Sequence, residues 1–342
     1  MKKLLSICLI VSLILALVIP SVAYGAKPGN TKDDFKIFKK QPAGQFGQAL
    51  GSVMSNIRSQ WQKPTAPAGF IGAPVKGERY AVVIGISDYP GELDVREDGL
   101  DLYYADDDAL TIQNTLIGVY GFNPDNITLL TDRDATKSGI LGALAGLKKK
   151  VTRNDEVVFY YSGHSAVYDT IVRNPFRLGD NAGLVVWADD LNEIQPDVVW
   201  DRQINTALNA LKTNRIVIGL DCCFASTFSE LSGIGRIFMG ATDQDGISFE
   251  IGEAYADMFL PGTIPLELLS LNQGLFTYSF AVMGMQDGIA DLPPYEGLVT
   301  VEEAFYFTQA YLTDLTQLAQ SLGIPMDEIP VIIDLFRGDM GL

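Results

Sequence analysis

A thiol and an imidazole draw attention first, because this sequence contains so few of either. Its 342 residues include three cysteines and a single histidine, His164. Two of the cysteines, Cys222 and Cys223, are adjacent in the stretch RIVIGLDCCFAST. A cysteine beside an imidazole is the minimum apparatus of nucleophilic catalysis, because the imidazole favours the thiolate and later protonates the leaving amine. These residues therefore predict cysteine-dependent acyl transfer if the fold brings them together.

Other uses of two adjacent cysteines fit the sequence less well. Neighbouring cysteines form a disulfide only through a strained ring, and secreted domains that depend on disulfides carry several spaced pairs. A zinc site requires about four ligands at separated positions, whereas this chain has one histidine to offer. Two structural thiols at a strand end remain an alternative, because free cysteine is often simply buried.

The two candidate groups each follow an apolar run that is typical of a buried strand. EVVFYY precedes His164, and RIVIGL precedes Cys223. Further strand-like runs, such as YAVVIGI and ITLL, alternate with segments of helical spacing, including one from Val199 to Leu211. This alternation predicts an α/β fold with a mostly parallel sheet and helices on both faces. Functional groups collect at the carboxyl ends of such strands, so we expect His164 and Cys223 at the same edge of the sheet.

The first residues predict a secreted protein. Residues 1–25 combine a short basic start, an apolar run from Leu4 to Ile19, and small residues at Ala23 and Gly25. This pattern is typical of a secretory signal peptide, and the run is short for a membrane span, so no stable span is expected after its removal. Residues 26–78 have weak periodicity and are interpreted as a linker or pro-segment with a short helix around Phe46 to Trp61. Residues 79–342 are interpreted as one domain.

Charge narrows the choice of partner. The formal net charge is −17, and the isoelectric point is about 4.4. Such a field repels phosphate backbones, so nucleic acid is not an expected partner. A protein or peptide substrate, in particular a basic one, is the expected partner instead.

Two motifs together resemble those of a known family. FYYSGHS and IVIGLDCCFAS are similar to the strand-S-G-H-G and strand-D-x-C-x-S-G motifs of the caspase-like cysteine peptidases, in particular the metacaspase branch. YAVVIGISDY, LYYADDDA, GLFTYSFAVMGM and VTVEEAFYF resemble further family segments in the same order, from Arg79 to the end of the chain. The resemblance implies a caspase–hemoglobinase-like three-layer sandwich and a cysteine endopeptidase that requires no cofactor.

The resemblance also implies roles for individual residues. In the D-x-C pattern the nucleophile is Cys223, Cys222 is the variable middle position, and His164 is the general base and acid. The backbone N–H groups of Ser165 and Cys223 would form the oxyanion hole. The resemblance also implies a pocket for the arginine or lysine before the scissile bond. Its residues would be Asp108, Ser162 and Asp221.

The chain departs from the family pattern at three positions. Ser165 replaces the glycine after the histidine, and Ala225 and Ser226 stand where serine and glycine are usual. Loss of one oxyanion donor costs about 10²–10³ in rate. A catalytically weak or inactive relative that binds peptides or acts at a surface is therefore the alternative to an active peptidase.

The resemblance carries two weaker expectations. Many metacaspases are activated by calcium. The acids here that could serve as calcium ligands match the family pattern only weakly, so we expect weak activation at best. These acids are Asp189, Asp190, Asp201 and Glu230. A peptidase specific for basic residues is also expected to cut its own pro-segment. The candidate self-cleavage sites are Arg58, Lys63 and Lys76, with Arg236 as a further one.

Overall fold

The structure of the protein is a computed structural model that describes residues 35–38, 41–42, 72–90, 101–168, 182–188, 197–253, 271–291, 297–321 and 326–342. The predicted signal peptide, most of the predicted linker and the predicted helix near Phe46 lie outside these residues. The boundaries of those segments therefore stay predictions. Within the described part, no helix has the length and apolar character needed to cross a membrane.

The strands of the described part form three sheets. In chain order they are β1 (Phe35–Phe38), β2 (Gln41–Pro42), β3 (Arg79–Gly85), β4 (Ile127–Thr131), β5 (Glu156–Ser162), β6 (Ser165–Tyr168), β7 (Ala182–Val185), β8 (Val198–Trp200), β9 (Ile216–Asp221), β10 (Arg236–Gly240), β11 (Phe249–Ile251), β12 (Gln273–Gly274) and β13 (Val331–Asp334). The six-stranded sheet has the order β13-β10-β9-β5-β3-β4. The other two sheets have the orders β1-β6-β7-β8 and β12-β11-β2.

The six-stranded sheet is mostly parallel, as the sequence predicts. Strands β4, β3, β5, β9 and β10 run parallel to their neighbours, and β13 pairs antiparallel with β10 at one edge. Strands β5 and β9 are buried along their whole length, because their near-continuous apolar runs suit a strand that is covered on both faces. Their register opposes Ser162 to Asp221, so the two strands end level with each other.

Helices flank this sheet. In chain order the described ones are α1 (Ala105–Gly118), α2 (Lys137–Lys150), α3 (Asp201–Asn209), α4 (Leu275–Thr277), which continues as a π-helix over Tyr278–Gln286, and α5 (Val301–Ser321). At the start of α2 the Thr136 side chain accepts the N–H of Gly139 at 3.0 Å, which caps the helix. Three lysines occupy the last turn of α2, where positive charge favours a helix end.

Two apolar cores confirm the predicted three-layer arrangement. Side chains of α1, the π-helix and α5, among them Ile112, Phe280 and Phe305, pack against one face of the sheet. Side chains of α2 and α3, among them Leu144 and Ile204, pack against the other face. The protein is therefore an α/β sandwich with a mostly parallel central sheet, which is the fold class that the resemblance implied.

The structure corrects two details of the sequence interpretation. The segment predicted to be helical from Val199 is still a strand at Trp200, because Val198 and Val199 pair with β7, and the helix begins only at Asp201. Strands β1 and β2 lie in the segment interpreted as a linker, where no strand was predicted. They pair with β6 and β11, whose residues are more than 120 positions away in the chain.

Candidate active site

His164 follows a tight turn at the end of β5. Gly163 has φ +152°, and a Cβ at this position would lie 2.6 Å from the Tyr89 hydroxyl oxygen and 2.7 Å from that of Tyr161. A glycine is therefore required here. The backbone N–H of His164 donates to Tyr89 Oη at 3.0 Å, and its carbonyl accepts from Tyr161 Oη at 2.6 Å. The Tyr89 ring lies against the imidazole, with 4.9 Å between ring centroids.

Cys223 follows β9 on the neighbouring loop. The two loops are joined directly, because Ser165 Oγ donates to the carbonyl oxygen of Cys223 at 2.6 Å and the N–H of Gly163 donates to the carbonyl of Asp221 at 3.2 Å. The prediction that His164 and Cys223 follow adjacent strand ends at one edge of the sheet is thus confirmed in the structure. Their catalytic roles stay predictions.

The second cysteine has different surroundings. Cys222 belongs to the apolar core on the α2 and α3 side of the sheet, as expected from the alternation of side chains at a strand end. Its carbonyl accepts from Thr242 Oγ1 at 3.2 Å. Cys223 lies outside the two apolar cores and is also buried.

The residues after Cys223 form an ordered turn despite their departure from the family motif. Phe224 adopts a left-handed conformation with φ +54°, and its N–H donates to the carbonyl of Gly246 at 2.9 Å. The N–H of Ala225 donates to Thr242 Oγ1 at 2.9 Å, and that of Ser226 to the Thr242 carbonyl at 3.1 Å. The backbone N–H groups of both altered positions therefore donate hydrogen bonds to Thr242, in the loop after β10.

The three residues predicted to form the pocket for a basic side chain come together. Asp108 lies in the first turn of α1, and its Oδ2 accepts from Ser162 Oγ at 2.6 Å. Ser162 stands opposite Asp221 in the sheet. All three side chains are buried, so two carboxyl groups face one small region at the carboxyl edge of the sheet.

Each of these carboxylates is held by groups that the sequence analysis did not identify. Asp108 Oδ1 accepts the N–H of Gly274 at 2.7 Å. Asp221 accepts from Ser248 Oγ at 2.6 Å and from both the N–H and the hydroxyl of Thr277, at 3.2 and 2.6 Å. These hydrogen bonds hold both carboxyl groups in fixed positions. Thr277 and Ser248 lie more than 25 residues from Asp221, and no local pattern marks them.

Tyr160 extends the same buried network. Its hydroxyl contacts the hydroxyl of Thr277, and burial together with the charges of Asp221 and Asp108 raises the pKa of Tyr160 well above its usual value. Tyr160 therefore stays a neutral phenol beneath the acidic pocket.

Ser165 occupies the middle of a sheet and not an open loop. It pairs with Phe38 of β1 on one side and with Leu184 of β7 on the other. The carbonyl of His164 accepts from the N–H of Val185 in β7 at 3.0 Å. Since backbone groups alternate in direction along a strand, the N–H of Ser165 faces β1. Its oxyanion role stays a prediction.

The described acids do not make a calcium site by themselves. Asp201 is buried in the first turn of α3, where its Oδ1 accepts the N–H of Arg202 at 2.6 Å, and Glu230 is exposed. Asp189 and Asp190 lie outside the described residues. In the described part of the chain, no three carboxylate, histidine or cysteine side chains are grouped as metal ligands would be.

Arg236 is poorly placed for self-cleavage. It is the first residue of β10, it is buried, and its guanidinium donates to the Leu231 carbonyl at 3.0 Å. The bond after it lies inside the central sheet. A peptidase would have to open that sheet to reach it.

Comparison with known proteins supports one family. Residues 79–232 match the family model described as "Metacaspase, peptidase C14 domain". The chain is 29% identical over 149 residues to Metacaspase-1 of Debaryomyces hansenii, which covers 40% of this chain and 31% of that protein. It is 33% identical over 107 residues to Metacaspase-1 of Arabidopsis thaliana, covering 30% of this chain and 27% of that protein. The matches span less than a third of the length of either relative.

Among solved structures, a protein from Geobacter sulfurreducens aligns with 75% of this chain and 93% of its own, with a TM-score of 0.45 and 13% identity. The similarity to metacaspases rests on the sequence matches alone. The matched residues contain His164, Cys223 and all three pocket residues. Over residues 79–232 the chain is therefore similar to the metacaspase peptidase C14 domain.

Proposed function

We propose that this protein is a cysteine endopeptidase in which Cys223 is the nucleophile and His164 the acid–base catalyst. The observation that carries the proposal is the hydrogen bond from Ser165 to the Cys223 carbonyl, because it joins the histidine loop to the cysteine loop. A single histidine and a nearby thiol are the groups that such a reaction requires.

In the proposed reaction, His164 takes the proton of the Cys223 thiol, and the sulfur attacks the carbonyl carbon of the scissile peptide bond. His164 then gives that proton to the leaving nitrogen, the C–N bond breaks, and an acyl thioester remains. Water, deprotonated by His164, attacks the thioester; the C–S bond breaks, and a carboxylate and the free thiol are formed. Tyr89 supports this role, because its contacts to the His164 backbone and ring hold the imidazole in one position.

We propose cleavage after arginine or lysine. Two buried carboxyl groups, Asp108 and Asp221, favour a cation over an acid in the pocket before the scissile bond, and loss of one partner of a buried charge pair costs about 2–5 kcal/mol. The test is a panel of fluorogenic peptides that differ only at the residue before the cut. Arg and Lys peptides should be hydrolysed and Asp peptides not.

Substitution of the pocket acids refines this test. Asp108→Asn and Asp221→Asn should each lower kcat/KM for Arg peptides by about 30-fold or more. Asp245→Asn, at an exposed position, is the matched control and should leave kcat/KM for Arg peptides nearly unchanged. Hydrolysis of Asp peptides with Arg and Lys peptides untouched would disprove the assignment.

A second candidate is a peptide-binding or surface protein without turnover. Complete burial of Cys223 and the altered motif around it favour this candidate. Iodoacetamide labelling below pH 7, done after the peptide panel has been measured, distinguishes the peptidase from the binding protein. An inactive protein whose thiol does not react under any condition would support the binding role.

We also propose that the protein is secreted and that its first 25 residues are removed. The support is the basic start followed by the apolar run from Leu4 to Ile19. Mass spectrometry of protein recovered from the culture medium should give a chain that begins at about residue 26. Full-length protein retained in the cell would contradict the proposal.

A further inference from the structure

A short strand, β11, is connected to both acids of the proposed pocket, Asp108 and Asp221. Ser248 directly precedes this strand, and Glu250 is its second residue. Both side chains are fully buried, although serine and glutamate usually lie at the surface of a protein. Burial of a polar group costs free energy unless the group is hydrogen-bonded, so the contacts of these two side chains indicate their purpose.

Ser248 holds Asp221 directly. Its Oγ donates to Asp221 Oδ1 at 2.6 Å, while Asp221 Oδ2 accepts from the N–H and the hydroxyl of Thr277. The two oxygens of this carboxyl group are therefore held from two separate segments of the chain. Removal of the Ser248 hydroxyl would release one of these restraints and allow the carboxyl group to shift.

Glu250 holds the amino end of α1, the helix that carries Asp108. Its Oε1 accepts the N–H of Tyr103 at 2.9 Å, and its Oε2 accepts the N–H of Tyr104 at 3.2 Å. Tyr104 is the N-cap residue of α1, and Asp108 lies about one helical turn after it. A single side chain of β11 therefore fixes the two residues that lead into the first turn.

Two further contacts join this part of the chain to α1. A Cβ on Gly252, which directly follows β11, would lie 2.2 Å from Cζ of Tyr104, so the tyrosine ring packs against this glycine. In the neighbouring strand β12, Gly274 pairs with Glu250 and donates its N–H to Asp108 Oδ1 at 2.7 Å. The pair of strands β11 and β12 thus contacts both the start of the helix and the acid that the helix carries.

The placement of the two acids matters because a charged substrate group is held by Coulomb attraction and hydrogen bonds, and both depend on distance. A displacement of about 1 Å can lower a rate by about 10²-fold, even when it is caused far from the reacting atoms. Asp108 belongs to α1 and Asp221 to β9, and the segment from Ser248 to Glu250 makes a contact towards each of them. These contacts therefore fix the two carboxyl groups relative to each other.

We infer that Ser248 and Glu250 are positioning residues of the pocket, which hold its two carboxyl groups at the separation that a basic side chain requires. The inference rests on the proposed function for the assignment of this pocket. Both residues act through the acids and not on the scissile bond. Their loss should therefore weaken the binding of a cation and leave the chemical step largely unchanged.

The test separates binding in the pocket from chemistry. Calorimetry gives the Kd of the protein for n-propylguanidine, which has the structure of the arginine side chain, and an Arg peptide gives kcat and KM. Ser248→Ala removes the hydroxyl, and Glu250→Gln directs an NH₂ group at one of the two N–H donors. Each variant should raise the Kd for n-propylguanidine and the KM by about tenfold, with kcat changed by about twofold or less.

Two matched variants control for the change of a buried polar group as such. Ser279→Ala removes a buried hydroxyl that donates to the Leu275 carbonyl, and Glu302→Gln changes a buried carboxyl group that accepts the N–H of Met340. Both control variants should leave the Kd and the KM unchanged. Thermal melts of all four variants show whether each one is folded.

Unchanged Kd and KM in both Ser248→Ala and Glu250→Gln would overturn the inference. A fall in kcat and melting temperature alone would do the same, since it would mark both residues as purely structural. Weaker binding of n-propylguanidine in both variants, with no hydrolysis of any peptide by the wild type, would uphold the inference and count against the proposed peptidase activity. A wild type that hydrolyses Arg peptides without binding n-propylguanidine would overturn the inference and leave the peptidase activity standing.

Discussion

At the scale of single residues, the site depends on small contacts around His164 and Cys223. Gly163 is required because Tyr89 and Tyr161 approach its Cα too closely for any side chain. The two tyrosine hydroxyls then hold the backbone of His164, and Ser165 holds that of Cys223. Several backbone contacts, and not one, therefore position the proposed pair.

The two adjacent cysteines allow a sharp test at this scale. Cys223→Ala and His164→Ala should each lower kcat by about 10⁴-fold or more, since each removes a group that the reaction cannot replace. Cys222→Ala should retain most of the activity, because Cys222 lies in the apolar core. Peptide assays and thermal melts of all three variants are the measurements.

The melts serve as the control, since a variant that unfolds says nothing about catalysis. An inactive but folded Cys222→Ala would show that the nucleophile had been assigned to the wrong cysteine. Equal activity in all three variants would remove the peptidase hypothesis.

At the scale of elements, the start of α5 is tied to the end of the chain by a buried acid. Glu302 is in the first turn of α5, and its Oε2 accepts the N–H of Met340 at 2.7 Å. Burial, with Asp334 and Asp339 nearby, raises the pKa of Glu302 to about 8. This carboxyl therefore remains protonated in the folded protein at neutral pH.

Stability should consequently depend on pH through this element. Below the usual pKa of about 4.5, both the folded and the unfolded chain hold the Glu302 proton, so Glu302 does not lower the free energy of unfolding. As the pH rises towards 8, only the folded chain keeps the proton, so stability falls by an amount of the order of a few kcal/mol, and it levels off above pH 8. Glu302→Gln should remove this part of the decline and stabilise the protein at pH 8.

Thermal melts of the wild type and Glu302→Gln at pH 5 and pH 8 measure the effect. Glutamine keeps an oxygen for the Met340 N–H, so the fold should be retained. Parallel declines of the melting temperature in both proteins would show that Glu302 does not titrate as described.

At the scale of the whole molecule, the acidic field and the acidic pocket favour the same class of partner. From the net charge of −17 we expect basic peptides, and not nucleic acid, as partners. The same charge attracts divalent cations. Among the described residues, Asp201 and Glu230 belong to no group of three or more potential metal ligands.

We therefore expect calcium to activate the protein weakly at best. Addition of EDTA to the purified chain should change the rate of Arg-peptide hydrolysis by about twofold or less, and readdition of calcium should restore only that change. Magnesium at the same ionic strength is the control for general screening of charge. Loss of activity with EDTA, and its recovery with calcium but not with magnesium, would contradict this expectation and indicate a site that includes Asp189 or Asp190.

The parallel sheet, and the place of His164 and Cys223 at its edge, could be predicted from local sequence. Short continuous apolar runs such as EVVFYY and RIVIGL are informative because their β-branched and aromatic residues favour a strand covered on both faces. The residues that follow these runs are therefore the residues at the carboxyl edge, which is how His164 and Cys223 were predicted to share one edge. The family motifs then named Asp108, Ser162 and Asp221, which the structure brings together.

Tertiary structure alone decided which distant groups surround those residues. The hydrogen bonds of Thr277 and Ser248 to Asp221, and the contact of Tyr89 with His164, join segments whose separation in the chain carries no local signal. The same is true of β1 and β2, because Phe35–Phe38 and Gln41–Pro42 have no strong strand pattern and pair with β6 and β11, which are distant in the chain. Local sequence determines where a strand is stable, but the pairing of an edge depends on which backbone groups the completed fold leaves open.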